Sequence, residues 1–136
     1  MEASRTRALI TGASGGIGHA LAARLCAEGA HLLLVARRVA LPEALARQYP
    51  GQVSVVSADL GSREGRERVH AAARTFGGLN CVVNAAGINQ FALLEDQDDA
   101  ALESLVAINL TATMQLTRLL LPLLRQAPDA LLVNLG

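Results

Sequence analysis

A chain of 136 residues is one domain's worth of sequence, long enough to bury roughly 70% of the surface its unfolded form exposes. Apolar residues make up 51% of it and aromatic residues only 2%, so the core is built from Leu, Val, Ile and Ala. Twelve arginines balance twelve acids with no lysine, and this neutral, interspersed charge excludes the broad basic footprint that nucleic acid or an anionic membrane surface requires.

Cys26 and Cys81 have no CxxC or zinc-type spacing and read as reduced packing residues. His19, His31 and His70 are far apart, so no metal site is expected. The N-terminus Met-Glu-Ala-Ser-Arg has no apolar signal core and leads straight into a strand. The leucine runs are too short to cross a bilayer. A cytoplasmic protein without membrane contact is the expectation.

In chain order the sequence alternates strand and helix. Ala8–Thr11 is the first strand. Ile17, Leu21 and Leu25, with Ala22 and Cys26 beside them, predict a helix with one apolar face, ended by Gly29. His31–Ala36 is a continuous apolar run, the mark of a strand covered on both faces. Pro42 is placed to start a short helix that ends near Tyr49-Pro50-Gly51, and Val53–Ser57 is the third strand. Ser62 is placed to cap a helix with Val69, Ala72, Ala73 and Phe76 on its inner face and Gly77-Gly78 at its end. Asn80–Ala85 is the fourth strand. Residues 98–126 read as one helix with a kink at Pro122, and Ala130–Leu135 as the fifth strand.

Such alternation predicts parallel βαβ units in a doubly wound, three-layer αβα sheet of the Rossmann type, strand order 3-2-1-4-5, spanning residues 1–136 as a single domain. An apolar fifth strand at the end of the sequence leaves a sheet edge uncovered. The expectation is therefore that the natural protein continues past Gly136.

Thr11-Gly12-Ala13-Ser14-Gly15-Gly16-Ile17-Gly18 joins the first strand to the first helix. Strand, glycine turn and helix in that order cradle a phosphate: Gly12 permits the turn, Gly16 lets backbone approach a pyrophosphate and Gly18 lets helix pack on strand. Asp59, followed by Leu60, can accept from an exocyclic amine or cap the next helix. Ala85, Ala86 and Gly87 are small enough for a ribose or ring to lie against them, or for a tight strand exit. Asn109 falls on the stripe of Leu102, Leu105 and Val106, where leucine would be expected. A buried amide there implies a hydrogen-bond network, a water site or a break in the helix backbone.

Together these motifs resemble the classical short-chain dehydrogenases/reductases over residues 7–136. The glycine segment fits that family's Thr-Gly-x-x-x-Gly-x-Gly, although Gly15 also satisfies the spacing of its extended relatives. Asn84-Ala85-Ala86-Gly87 resembles its Asn-Asn-Ala-Gly segment with one substitution, Asp59-Leu60 its adenine-contacting position, and Asn109 its catalytic asparagine. The resemblance implies cofactor contacts from Gly12, Ser14, Gly15, Gly16, Ile17, Gly18, Asp59, Leu60 and Asn84–Gly87. It further implies that Asn109 positions a water in a proton relay.

The second strand ends in Arg37-Arg38, with no acid where an NAD-binding fold needs one for the ribose 2′-hydroxyl. Guanidinium groups bind a 2′-phosphate that an acid would repel, so NADP(H) is preferred over NAD(H). Arg37 is the main partner, because it directly follows the position where the family's NAD-specific members carry Asp; Arg38 is the more expendable of the two.

The family's Ser, Tyr and Lys are absent: the chain ends Asn134-Leu135-Gly136, and Tyr49 has no lysine four residues on. The expectation is an NADP(H)-dependent oxidoreductase acting on a small carbonyl or alcohol. The complete protein would be a homodimer or homotetramer, and these residues alone, without Ser-Tyr-Lys, would be inactive. The competing readings are a non-catalytic nucleotide-binding module, an extended-type epimerase or dehydratase, and a Rossmann-type methyltransferase. Arg37 speaks against the methyltransferase, and Asn84 and Asn109 against the extended group.

Overall fold

The computed structural model describes residues 1–136. The elements in chain order are β1 (Arg7–Thr11), α1 (Gly16–Ala27), β2 (His31–Ala36), α2 (Ala40–Gln48), β3 (Val53–Ser57), α3 (Arg63–Phe76), β4 (Cys81–Asn84), α4 (Asp99–Val106), α5 (Ala112–Leu124) and β5 (Leu131–Asn134). The strands form one parallel sheet in the order β3-β2-β1-β4-β5. This is the doubly wound fold that the sequence predicts.

Strand periodicity sorts the core into two layers. On one face Ala8, Ile10, Leu32, Leu34, Cys81 and Val83 meet Ala22 and Cys26 of α1 and Leu45 of α2. On the other, Leu9, Leu33, Val35 and Val82 meet Val69 and Ala73 of α3 and Leu116, Leu120 and Leu124 of α5. The continuous apolar run of β2 is thus buried from Leu32 to Ala36 because both faces are covered. β5 pairs only with β4, and Leu131 and Leu132 stay exposed.

Several local expectations need correction. The chain does not run straight into β1: a 3-10 turn, Ala3–Arg5, comes first, and another spans Leu94–Asp96. The inner face of α1 is Gly18, Ala22 and Cys26, with Leu21 and Leu25 at its flanks and Ile17 exposed. Small residues win that face because the helix lies tight against the sheet. Pro42 sits at the third position of α2 rather than the first, and is buried. The helix runs through Pro122, two residues from its end, so little helix lies beyond it to deflect. The departure from α geometry is instead a π-helical turn, Ala107–Thr111, between α4 and α5.

The stretch Asp99–Leu124 is 26 residues long and apolar enough, by length and composition alone, to cross a membrane. Ala112, Leu116, Leu120 and Leu124 are the ones buried.

Tight α1–β1 packing carries a test. A Cβ on Gly18 would lie 2.4 Å from the Gly12 carbonyl oxygen, whereas one on Gly15, whose backbone is extended, meets nothing within 4 Å. Gly18→Ala is expected to lower stability by about 1–3 kcal/mol, while Gly15→Ala shifts it by less than about 0.5 kcal/mol. Urea unfolding of the two variants checks the difference.

Candidate functional site

The carboxyl ends of β1, β2, β3 and β4 open into a cleft of about 390 Å³, at the edge of the sheet where open α/β folds bind ligands. Its walls include Gly12 and Ser14 from the turn after β1, Val35 to Arg38 from β2, Ala58 to Leu60 after β3, Ala86 to Ile88 after β4, and Ile108.

Thr11 anchors the floor. It is 1% exposed, and its Oγ1 accepts from the backbone N–H groups of Ala85 and Ala86, both at 3.1 Å. Gly12 has a φ of +66°, and a Cβ there would meet the Ala85 carbonyl oxygen at 2.6 Å. The exits of β1 and β4 therefore touch backbone to backbone. The turn is tied to β2 by Ala13 N–H donating to the Val35 carbonyl. Above it Gly16 has a φ of +56°, and neither Gly15 nor Gly16 has any atom within 4 Å of a Cβ position. The start of α1 thus presents bare backbone N–H groups to open space, the donor set a phosphate needs. No side chain caps that helix end.

Arg37 and Arg38 are exposed on the cleft wall. The ion pairs of the chain are Glu2–Arg5, Arg24–Glu28 and Arg63–Glu67, so both guanidinium groups are free. Ser57 Oγ donates to the Arg37 carbonyl at 3.2 Å and steadies that corner. Asp59 Oδ1 accepts from Gly61 N–H at 2.9 Å, and the Asp59 carbonyl accepts from Ser62, whose hydroxyl caps α3 at Gly65 N–H. Asp59 therefore does organise the entry to α3, and it also lines the cleft.

Asn109 is not on a buried stripe. It is exposed, as are Val106 and Leu110. Its Oδ1 accepts from Ile88 N–H at 2.7 Å and its Nδ2 donates to the Ile88 carbonyl at 2.8 Å. The amide replaces a backbone partner for the segment leaving β4. The π-helical turn sets this up: Ile108 reaches Gly61, where a Cβ would be 2.8 Å away, and Asn109 reaches Gly87, where a Cβ would be 3.0 Å away.

Among the expected residues, Gly12, Ser14, Arg37, Arg38, Asp59, Leu60, Ala86 and Gly87 line the cleft. Gly15, Gly16 and Ile17 are exposed on the glycine turn, while Gly18 is buried. Ala85 lies behind the wall, bonded to Thr11. Asn84 turns away: it is 4% exposed, and its Nδ2 donates to Asn134 Oδ1 at 2.8 Å and Thr117 Oγ1 at 3.1 Å. It ties β4 to β5 and α5. Val35, Ala36, Ala58, Ile88 and Ile108 were not anticipated. Ala36, Ala58, Ile88 and Ile108 each adjoin an expected site residue, and that adjacency is the signal the sequence offers for them. The Cys26 and Cys81 thiols are buried, which pushes both above the usual thiol range. They are protonated packing groups at neutral pH.

A parallel sheet of this strand order, with a glycine turn and a cleft at its switch point, defines a Rossmann-type fold. The short chain dehydrogenase family pattern matches residues 6–136, and the chain belongs to that family. It is 37% identical to nodulation protein G of Rhizobium sp. (strain N33) over 118 residues, 86% of this chain and 48% of that protein. It is 30% identical to an uncharacterized oxidoreductase of Staphylococcus epidermidis over 130 residues, 95% of this chain and 56% of that one. The chain thus spans about half the length of the curated relatives it matches. Among solved structures, the bulky-bulky ketone specific alcohol dehydrogenase of Comamonas testosteroni superposes with a TM-score of 0.84 at 30% identity, covering 96% of this chain and 54% of that one. L-sorbose reductase of Gluconobacter frateurii, complexed with NADPH and L-sorbose, gives 0.81 at 32% identity, covering 93% and 51%.

Thr11 supplies the test of this architecture. Thr11→Val removes the acceptor shared by two N–H groups and is expected to cost about 2–4 kcal/mol. Thr11→Ser retains the hydroxyl and most of the stability. Thermal unfolding of the pair, read by circular dichroism, checks it.

Proposed function

We propose that this chain is the cofactor-holding part of an NADP(H)-dependent oxidoreductase that interconverts a small-molecule carbonyl and an alcohol. One observation carries the reading: a cleft with unencumbered helix N–H groups at one end and two free guanidinium groups at the other, with no acid at the end of β2. The family uses nicotinamide cofactors, and one similar reductase was solved with NADPH.

In this assignment the pyrophosphate rests on the N–H groups around Ser14, Gly15, Gly16 and Ile17, with Gly12 and Gly18 keeping the turn flat against the sheet. Arg37 grips the 2′-phosphate and Arg38 adds charge beside it. Asp59 offers its second carboxylate oxygen to the adenine amine, next to Leu60. Ala86 and Gly87 leave room for the ribose, with Asn84 and Ala85 holding that segment in register. Asn109 fixes Ile88 at the far end and serves the proton relay from the π-helical turn. Hydride transfer is the chemistry the nicotinamide supplies when bound.

The 136 residues contain no lysine. Their one tyrosine, Tyr49, packs beside the core at the amino end of β3, opposite the cleft. We therefore propose that they bind cofactor without turning substrate over. The complete protein is proposed to be a cytoplasmic homodimer or homotetramer. The exposed apolar residues Val106, Leu110 and Met114 along the long helix support self-association.

Arg37→Asp tests the cofactor assignment. NADPH binding is expected to weaken about 10–100-fold, the worth of a charge-assisted contact, while NADH binding holds or tightens. Titration of both cofactors by calorimetry reads the ratio, and an unchanged preference would remove Arg37 from the site.

A further inference from the structure

A second concave surface lies at the amino end of β1, β2 and β3, the opposite end of the sheet from the cofactor cleft. It is a groove of about 490 Å³, within the roughly 300–1,000 Å³ that small-molecule sites occupy. Arg7 pairs with His31 across β1 and β2, and Leu33 with Ser54 across β2 and β3. By strand alternation all four face the side of the sheet that α3 covers. The end of α3 supplies the facing wall through Phe76.

Arg7 is a cation fixed in advance. Its Nε donates to the Gly77 carbonyl at 2.9 Å and its Nη2 to the Phe76 carbonyl at 2.8 Å, satisfying free acceptors at the end of α3. The guanidinium carbon also lies 4.4 Å from the centre of the Phe76 ring. None of the chain's ion pairs uses it, and Nη1 has no acceptor within the chain. No acid lines the groove, where His31 is the other ionisable group. A guanidinium held by two carbonyls and a ring has given up its rotamer freedom before any ligand arrives. Beside it Val56 and Phe76, both half-buried, offer apolar surface.

From this juxtaposition of a fixed, unpaired guanidinium and an apolar wall we infer that the groove is a second ligand site, for a small organic carboxylate with a flat apolar body. Arg7 takes the carboxylate, the anion its planar fork matches best. Val56 and Phe76 take the body. Inorganic phosphate gains nothing from the apolar wall and meets a single fixed cation. The site is independent of the cofactor reading, because Arg37 and Arg38 stand at the carboxyl ends of the strands.

Phe76 and Phe91 are the only phenylalanines, so isotope labelling of Phe rings gives two sets of NMR signals. Phe76 lines the groove, and Phe91 lies in the exposed segment after β4. The chain is titrated with 2-naphthoate, with the uncharged 2-naphthamide and with inorganic phosphate. The expected result is a saturable shift of the Phe76 ring with naphthoate, half-complete at about 1 mM, while the Phe91 ring holds still. The amide and phosphate shift Phe76 at least tenfold less at equal concentration. Arg7→Gln is expected to weaken naphthoate binding at least tenfold. Ser54→Glu, which places a carboxylate in the groove from an exposed position that leaves the fold intact, weakens it at least fivefold and decides the matter should Arg7→Gln fail to fold. Arg37→Asp leaves binding unchanged. An unmoved Phe76 ring, an equal response to the amide or to phosphate, undiminished binding in Ser54→Glu, or loss of binding in Arg37→Asp would each overturn the inference.

Discussion

The structure depends on one close approach. The backbone leaving β1 and the backbone leaving β4 meet at Gly12 and Ala85, with no room for a Cβ between them. Thr11 Oγ1 bridges the same junction by accepting two N–H groups. Gly18 brings α1 down on the Gly12 carbonyl from the other side. These contacts flatten the turn, and a flat turn leaves the amides at the start of α1 facing open space. A methyl group at Gly18 would push α1 off the turn, and one at Gly12 would force apart the exits of β1 and β4. The exposure of those amides therefore follows from packing, and as backbone groups they cost no side-chain ordering.

The fold was legible because the strands are long enough and apolar enough to declare themselves. β2 reads as a double-covered strand over His31–Ala36, and both faces are indeed filled from Leu32 to Ala36. Alternation and crossover handedness left few topologies, and the order 3-2-1-4-5 expected among them is the one found. The glycine turn was legible for a similar reason: at Gly12 and Gly18 only a residue without Cβ fits, so backbone geometry is written directly into residue type.

What was not legible depended on phase. The stripe that placed Asn109 inward assumed 3.6 residues per turn throughout. The π-helical turn Ala107–Thr111 adds a residue to that turn, so positions before and after it do not share a face. After the turn, Ala112, Leu116, Leu120 and Leu124 face the sheet, while α4 buries no residue at all. Asn109 then lands on the rim, where its amide pairs with Ile88. Asn84 misled in the opposite way. Its motif placed it with the cofactor residues, but at the β4–β5 register its amide faces Asn134 and Thr117. A polar residue in a motif can serve the sheet as readily as the ligand, and only the position of its neighbours separates the two.

These two asparagines show how the site is held from behind. Asn84 joins β4 to β5 and α5, and Asn109 joins the segment after β4 to the start of α5. The segment carrying Ala85–Ile88 is thereby fixed at three points: Thr11 on the β1 side, Asn84 at its base and Asn109 at its far end. Two of those points lie on the same long helix system, either side of Ala112. A motion of that helix would shift Ile88 and Asn84 together and carry the cleft wall with them. The π-helical turn is where such motion is most readily absorbed, since it has already departed from the α-helical ladder. Rigidity at Thr11 and compliance at Ala107–Thr111 would keep the β1 end of the cleft constant while the Ile88 end adjusts.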